Sequence, residues 1–174
     1  ADSVGAYNVV ASQWRDSDTS NSAWFLETIG SDIAFGVGSG GSANYGTKAF
    51  STSGWYHIVG VWDGSQVEIY IDAVASGSPV AAASMNTGTV NLGIGALWNT
   101  AGTVIDNGFW AGKIDQLAIF DYALSATGPT NSVAALYNSG TPANPMGFTK
   151  GPIAYYPLGD NTVYNGADYL VQNS

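Results

Sequence analysis

Apolar residues along the chain fall into short runs separated by turn-forming residues, and in the clearest run they alternate with polar ones. In Val67-Glu68-Ile69-Tyr70-Ile71-Asp72 a period of two sets Val67, Ile69 and Ile71 on one side of an extended strand, so these are predicted to face a core while Glu68 and Asp72 face water. Runs of similar strand character cover 9–15, 23–29, 33–37, 56–63, 67–72, 89–95 and 109–122. Between two of them sits Asp63-Gly64-Ser65, where glycine accepts the positive φ of a tight hairpin, so the flanking strands are predicted to pair antiparallel. One helical piece is expected, 131–138, built on Ser132-Val133-Ala134-Ala135-Leu136-Tyr137 and closed by Ser139-Gly140 with Gly as the C-cap. The two prolines of Thr141-Pro142-Ala143-Asn144-Pro145 block both helix and central strand, so 141–148 reads as a linker and the main domain ends near residue 140.

Composition sharpens this picture to an all-β, antiparallel two-sheet sandwich with one short C-terminal helix. Of 174 residues, 45% are hydrophobic and 13% aromatic, with 23 Gly and only 10% charged, which is the composition of a chain that folds into one domain of ordinary size. Four basic residues (Arg15, Lys48, Lys113, Lys150) against thirteen acidic ones give a net charge of −9, which repels a phosphate backbone and counts against a nucleic-acid partner. The lack of Cys removes disulfides and thiolate metal sites, and no stretch approaches the roughly 18 apolar residues of a membrane-spanning helix. The first residue is Ala1, with neither Met nor a basic-then-apolar leader, as expected of a processed product or a piece of a longer polypeptide.

Three ordered motifs carry a resemblance. The segment Gly54-Trp55-Tyr56-His57-Ile58-Val59-Gly60-Val61-Trp62-Asp63-Gly64, followed by the 67–72 strand, resembles the central hairpin of laminin-G-like domains, of the concanavalin A-like, jelly-roll class. Ala73 stands where that family has Gly, which implies a different turn. Asn91-Leu92-Gly93-Ile94-Gly95 and Gly112-Lys113-Ile114-Asp115-Gln116-Leu117-Ala118-Ile119-Phe120-Asp121-Tyr122-Ala123-Leu124-Ser125 resemble its closing strands, and the helix ending Leu136-Tyr137-Asn138 sits where the family has one. The resemblance implies a sandwich over 1–140 whose front strands are missing, and a tail over 141–174 in which Gly151-Pro152-Ile153-Ala154-Tyr155-Tyr156-Pro157-Leu158-Gly159-Asp160 is similar to the lead-in of a further repeat. It follows that the chain is expected to be a slice of a longer protein, or a subunit completed by a neighbour's strands. Tandem repeats with such a tail also resemble structural proteins of marine bacterial viruses.

Hydrolytic members of this sandwich class use paired carboxylates, and here the only glutamates, Glu27 and Glu68, fall on different predicted strands. Asp16 with Asp18, and Asp115 with Asp121, form no recognisable catalytic pattern, so no catalytic residue is expected and a glycoside hydrolase stands last among the readings. His57, the one histidine, lies in an apolar strand with no nucleophile elbow in the sequence and reads as structural. Calcium needs only oxygen ligands. In related pentraxins the loop leading to the Gly-x-Ile-Asp strand supplies them; here that loop, 96–108, offers Asp106 and Asn107, which serve equally as a calcium site or as a plain turn with Gly108. The same loop carries Trp98 and Asn99, with Trp110 beyond, and an indole beside amide and carboxylate groups is a physical basis for sugar binding.

The expected carbohydrate-binding set is therefore Trp98, Asn99, Asp106, Asn107 and Trp110, with Trp98 alternatively a protein-interface residue and Trp55 and Trp62 filling the core. Two functions are carried forward. One is a non-catalytic surface module for adhesion that binds a glycan or a protein outside a cell or on a virion, with no membrane insertion. The other is a virion or fibre subunit whose partners are copies of itself or neighbouring subunits.

Overall fold

The computed structural model describes residues 7–51 and 53–158, together with the backbone of the strand segments 162–164 and 169–171. Contacts divide the chain into two compact units, Ala1–Gly112 and Lys113–Ser174. The first unit contains β1 (Val9–Gln13), β2 (Trp24–Ile29), β3 (Asp32–Ser39), β4 (Ser42–Ala49), β5 (Ile58–Trp62), β6 (Gln66–Ile71), β7 (Val74–Ala75), β8 (Val80–Ala81), β9 (Gly93–Ile94), β10 (Leu97–Trp98) and β11 (Ile105–Asn107). A five-stranded sheet runs β4-β3-β2-β1-β9, and a second sheet joins β5, β6 and β7, with β8 also on β6. All of these pairings are antiparallel.

The period-two reading of the central strand holds. Val67 and Ile69 are fully buried and Ile71 nearly so. They meet the facing side of the larger sheet in two clusters: Ile69 and Ile71 pack with Leu26 and Ile33, and Val67 packs with Val37 and Ala82. Glu68 and Asp72, expected in water, are half-buried; Glu68 accepts a hydrogen bond from the Tyr70 hydroxyl at 2.9 Å, which lets Tyr70 itself be buried. The close approach of the two sheets depends on Gly60 of β5, where an added Cβ would stand 2.1 Å from the Phe35 ring.

Turn chemistry sets the register. Asp63 Oδ1 accepts hydrogen bonds from the backbone N–H groups of Ser65 at 2.8 Å and Gln66 at 2.9 Å, and Gly64 takes φ +94°, as the hairpin required. Between β6 and β7 the two loop residues Asp72 and Ala73 both have positive φ, +51° and +62°. The turn is a left-handed pair in which alanine bears the strain. Ala73→Gly should therefore raise the unfolding free energy by up to about 1 kcal/mol, read from the urea midpoint.

Strand β4 was absent from the sequence reading because Ser42-Ala43-Asn44-Tyr45-Gly46-Thr47-Lys48-Ala49 has no hydrophobic alternation. It is an edge strand, and its signal was Gly40-Gly41, both at positive φ in the two-residue turn after β3. Trp55, expected in the core, is 66% exposed because it precedes β5 and lies outside the ladder. Trp62 does pack against the core and donates its indole N–H to the Ala82 carbonyl at 2.8 Å. His57 closes the β5–β6 hairpin: its backbone N–H donates to Asp72 Oδ1 at 2.9 Å and its carbonyl accepts from Asp72 N–H at 2.8 Å. Burial holds its imidazole pKa below the ordinary value, against the charge of Asp72.

In the second unit, β12 (Leu117–Ile119) pairs antiparallel with β13 (Ala154–Tyr156), and β14 (Thr162–Tyr164) pairs with β15 (Tyr169–Val171). The long run 109–122 shrinks to β12 because Gln116 adopts φ +52°, which breaks the extended backbone. Only Gly93–Ile94 of the run 89–95 is strand. Helix α1 (Val133–Tyr137) starts at Ser132, whose Oγ accepts from Ala135 N–H at 3.0 Å. Its C-cap is Asn138 at φ +45° rather than Gly140, since asparagine tolerates the left-handed region. The predicted linker holds a short 3-10 turn at Pro145–Gly147. The closing segment and helix thus group with the tail, whereas the sequence set its boundary near 140. Among the described residues no helix is long and apolar enough to cross a membrane.

Candidate functional site

A bulge in β1 shapes the candidate site. Pairing with β2 shifts between Val9 and Ala11, so Val9 aligns with Glu27 on one face while Ala11 aligns with Leu26 on the other. The face turned away from the second sheet carries the buried cluster of Val9, Trp14, Phe25, Ala34 and Leu97. Gly36 makes room there: its missing Cβ lies where the Phe25 ring and Tyr45 Cβ would each be 2.6 Å away, and the two rings meet at 6.0 Å. Trp14 meets Phe25 edge to face at 4.9 Å.

The 96–108 segment is tied to this face by main-chain hydrogen bonds. Val9 N–H donates to Gly108 O at 2.8 Å, Asp16 N–H to Trp98 O at 2.8 Å, and Gly95 N–H to Val10 O at 2.9 Å. Beneath it opens a cavity of about 540 Å³ lined by Tyr7, Trp14, Asp16, Ser17, Glu27, Leu97, Asn107 and Gly108, within the usual size of small-ligand sites.

Its polar groups are acidic or neutral. Asp16 accepts from the Ser17 hydroxyl at 3.1 Å and from the Asn107 amide at 3.2 Å. Glu27 is half-buried and accepts no hydrogen bond from a described residue; burial, and secondarily the charge of Asp16, push its pKa up to about 7. Arg15, next in sequence to Asp16, is engaged with Asp18 at 3.6 Å, and a hydrogen bond from the Asn21 amide above all holds the Asp18 carboxyl below the ordinary range.

Of the residues singled out in the sequence, Asn107 alone lines the cavity. Trp98 is half-buried, with its indole N–H donated to Asn91 O at 2.9 Å. Asn99 shapes the loop tip, its Oδ1 accepting from Thr103 N–H at 3.0 Å. Asp106 is exposed on β11, where strand alternation turns it away from the side of Asn107. Trp110 is half-buried with its indole nitrogen enclosed. No cluster of three or more His, Asp or Glu that could hold a metal occurs among the described residues.

Tyr7 and Trp14 escaped the sequence reading, and Asp16 and Glu27 entered it only as carboxylates without a catalytic pattern. Glu27 had left a signal: it interrupts a run, 23–29, apolar enough on both faces to mark a strand covered on both sides, which places a carboxylate in a desolvated position.

The sandwich and its loop-covered face give the context for comparison with known families. The family model described as the concanavalin A-like lectin/glucanases superfamily (Laminin_G_3) matches residues 1–128. The chain belongs to this superfamily. A comparison with curated proteins finds no match. Membership in the concanavalin A-like superfamily suggests a carbohydrate- or protein-binding module and agrees with the antiparallel sheets and the one short α-helix among the described residues. Within that superfamily the identity of the ligand is set by the site and not by the fold.

Proposed function

We propose that the chain is a non-catalytic surface module, outside a cell or on a particle, that binds glycan in the cavity under the 96–108 segment. The observation that carries this reading is the side-by-side placement of Tyr7 and Trp14 with Asp16, Glu27 and Asn107. Aromatic rings cover the apolar face of a sugar, while amide and carboxylate oxygens accept from its hydroxyls. Asn107 is exposed on β11, so Asn107→Ala removes a polar contact and the amide that orients Asp16 while leaving the core intact. On a glycan array the wild-type protein should retain a defined subset of oligosaccharides, and Asn107→Ala should weaken that retention about tenfold with an unchanged melting temperature. Loss of binding only through unfolding, or no retention at all, would count against the site.

The Asp16 and Glu27 carboxylates also bear on the glycosidase alternative, since such enzymes need two acids with separated pKa values. The retained oligosaccharides, incubated with the protein and assayed for new reducing ends, should show none. The virion or fibre subunit reading draws on exposed Trp55 and Val74, 66% and 62% accessible. Light scattering separates it from a binding module: a monomer at working concentration favours binding, and a large particle favours assembly.

A further inference from the structure

We infer that the group captured by the cavity is a cation, an amine-bearing hexosamine rather than a neutral or acidic sugar; this rests on the glycan reading. Among the described residues two carboxylates, Asp16 and Glu27, line the cavity and no basic side chain does. The basic residues of the first unit are committed elsewhere: Arg15 to Asp18, and Lys48 Nζ to the Ala75 carbonyl at 2.8 Å. Asp16 is served by neutral donors only, the Ser17 hydroxyl and the Asn107 amide. Glu27 lacks even these, although strand register sets it between Val9 and Ala34, two members of the buried apolar cluster.

A carboxylate in that setting is unfavourable unless something supplies a donor, and a charged donor does so best. An ammonium group on the ligand would meet both acids, with the Trp14 and Tyr7 rings beside it adding the attraction of aromatic faces for cations. A neutral sugar leaves Glu27 without a charged partner, and a uronic or sulphated sugar adds a like charge to a chain whose net charge is already −9.

The test is calorimetric titration at about pH 7 with a glucosamine trisaccharide and with its fully N-acetylated counterpart, which has the same number of sugar rings but carries neutral acetamides in place of the amines. The glucosamine form should bind about tenfold more tightly, with a preference that shrinks on adding salt. Glu27→Gln and Asp16→Asn should each erase most of the preference, read as the ratio of the two affinities, with melting curves confirming that both variants fold. Equal affinity for the two sugars, or a preference untouched in both variants, would overturn the inference while leaving the glycan reading in place. Failure of every glycan on the array would overturn both. Tighter capture of a lysine side-chain mimic than of the glucosamine trisaccharide would also overturn it, by moving the site from sugars to proteins.

Discussion

Replacing Gly60 with valine should be strongly damaging to the first unit, costing about 3 kcal/mol or more of unfolding free energy. A Cβ at this position would lie 2.1 Å from Phe35 Cγ and 2.7 Å from Phe35 Cβ, the base of the side chain and not a flexible end that swings aside. Phe35 is itself held in the middle of β3, paired with Leu26 on one side and Gly46 on the other, so relief requires the two sheets to separate. Separation strips the packing from Leu26, Ile33, Ile69 and Ile71, the cluster that joins the sheets. Gly46→Ala is the matched control, because a Cβ there meets nothing nearer than the Val67 carbonyl at 3.9 Å. Urea denaturation followed by tryptophan fluorescence should show a large fall in midpoint for Gly60→Val and little change for Gly46→Ala; equal midpoints would remove Gly60 from its role as the point of contact.

The second large effect is a pH dependence centred on Glu27. Its carboxyl titrates near the ordinary value of 4.5 when the chain is unfolded and at about 7 when folded, so the folded state holds the proton more tightly. This contribution is fully present below about pH 4.5 and is lost as pH rises through about 7. A shift of this size corresponds to up to about 3 kcal/mol, reduced to roughly 1–2 kcal/mol by the solvent that reaches a half-buried group. Glu27→Gln cannot ionise, so its stability at pH 8 should exceed that of the wild type by this amount and the two should converge below about pH 4.5. Asp18, Asp63 and Asp121 all have pKa values held below the ordinary carboxylate value by hydrogen bonds, and what they contribute is lost as pH falls through those lowered values, outside the window in which Glu27 acts. A wild type and a variant with parallel stability curves from pH 5 to 8 would show that Glu27 is better solvated than its position implies.

The fold was legible where hydrophobic spacing and turn residues agree. Val67, Ile69 and Ile71 declared their strand by alternation, and Asp63-Gly64 declared the hairpin before it. Strand β4 was hidden because its neighbour supplies its register and an edge needs few apolar residues of its own. Trp55 misled for a related reason: a large aromatic next to a strand reads as core, but its exposure depends on where the ladder begins. The candidate site was harder to read, because it gathers β1, β2 and the 96–108 segment, residues as far apart in sequence as Asp16 and Asn107. The polar content of the loop was visible, but its direction was not. Alternation along β11 and the bulge in β1 decided which side chains reach the cavity, and neither is written in residue type.

The ties that hold the 96–108 segment in place have an evolutionary consequence. They run between backbone groups, so they do not depend on which side chains occupy the intervening positions. The tip closes on itself through Asn99 and Gly102, leaving Thr100, Ala101 and Val104 free to mutate without loosening the frame. Selection can thus rewrite this tip one residue at a time at little cost in folding, as in a lock whose wards are recut while its case stays the same.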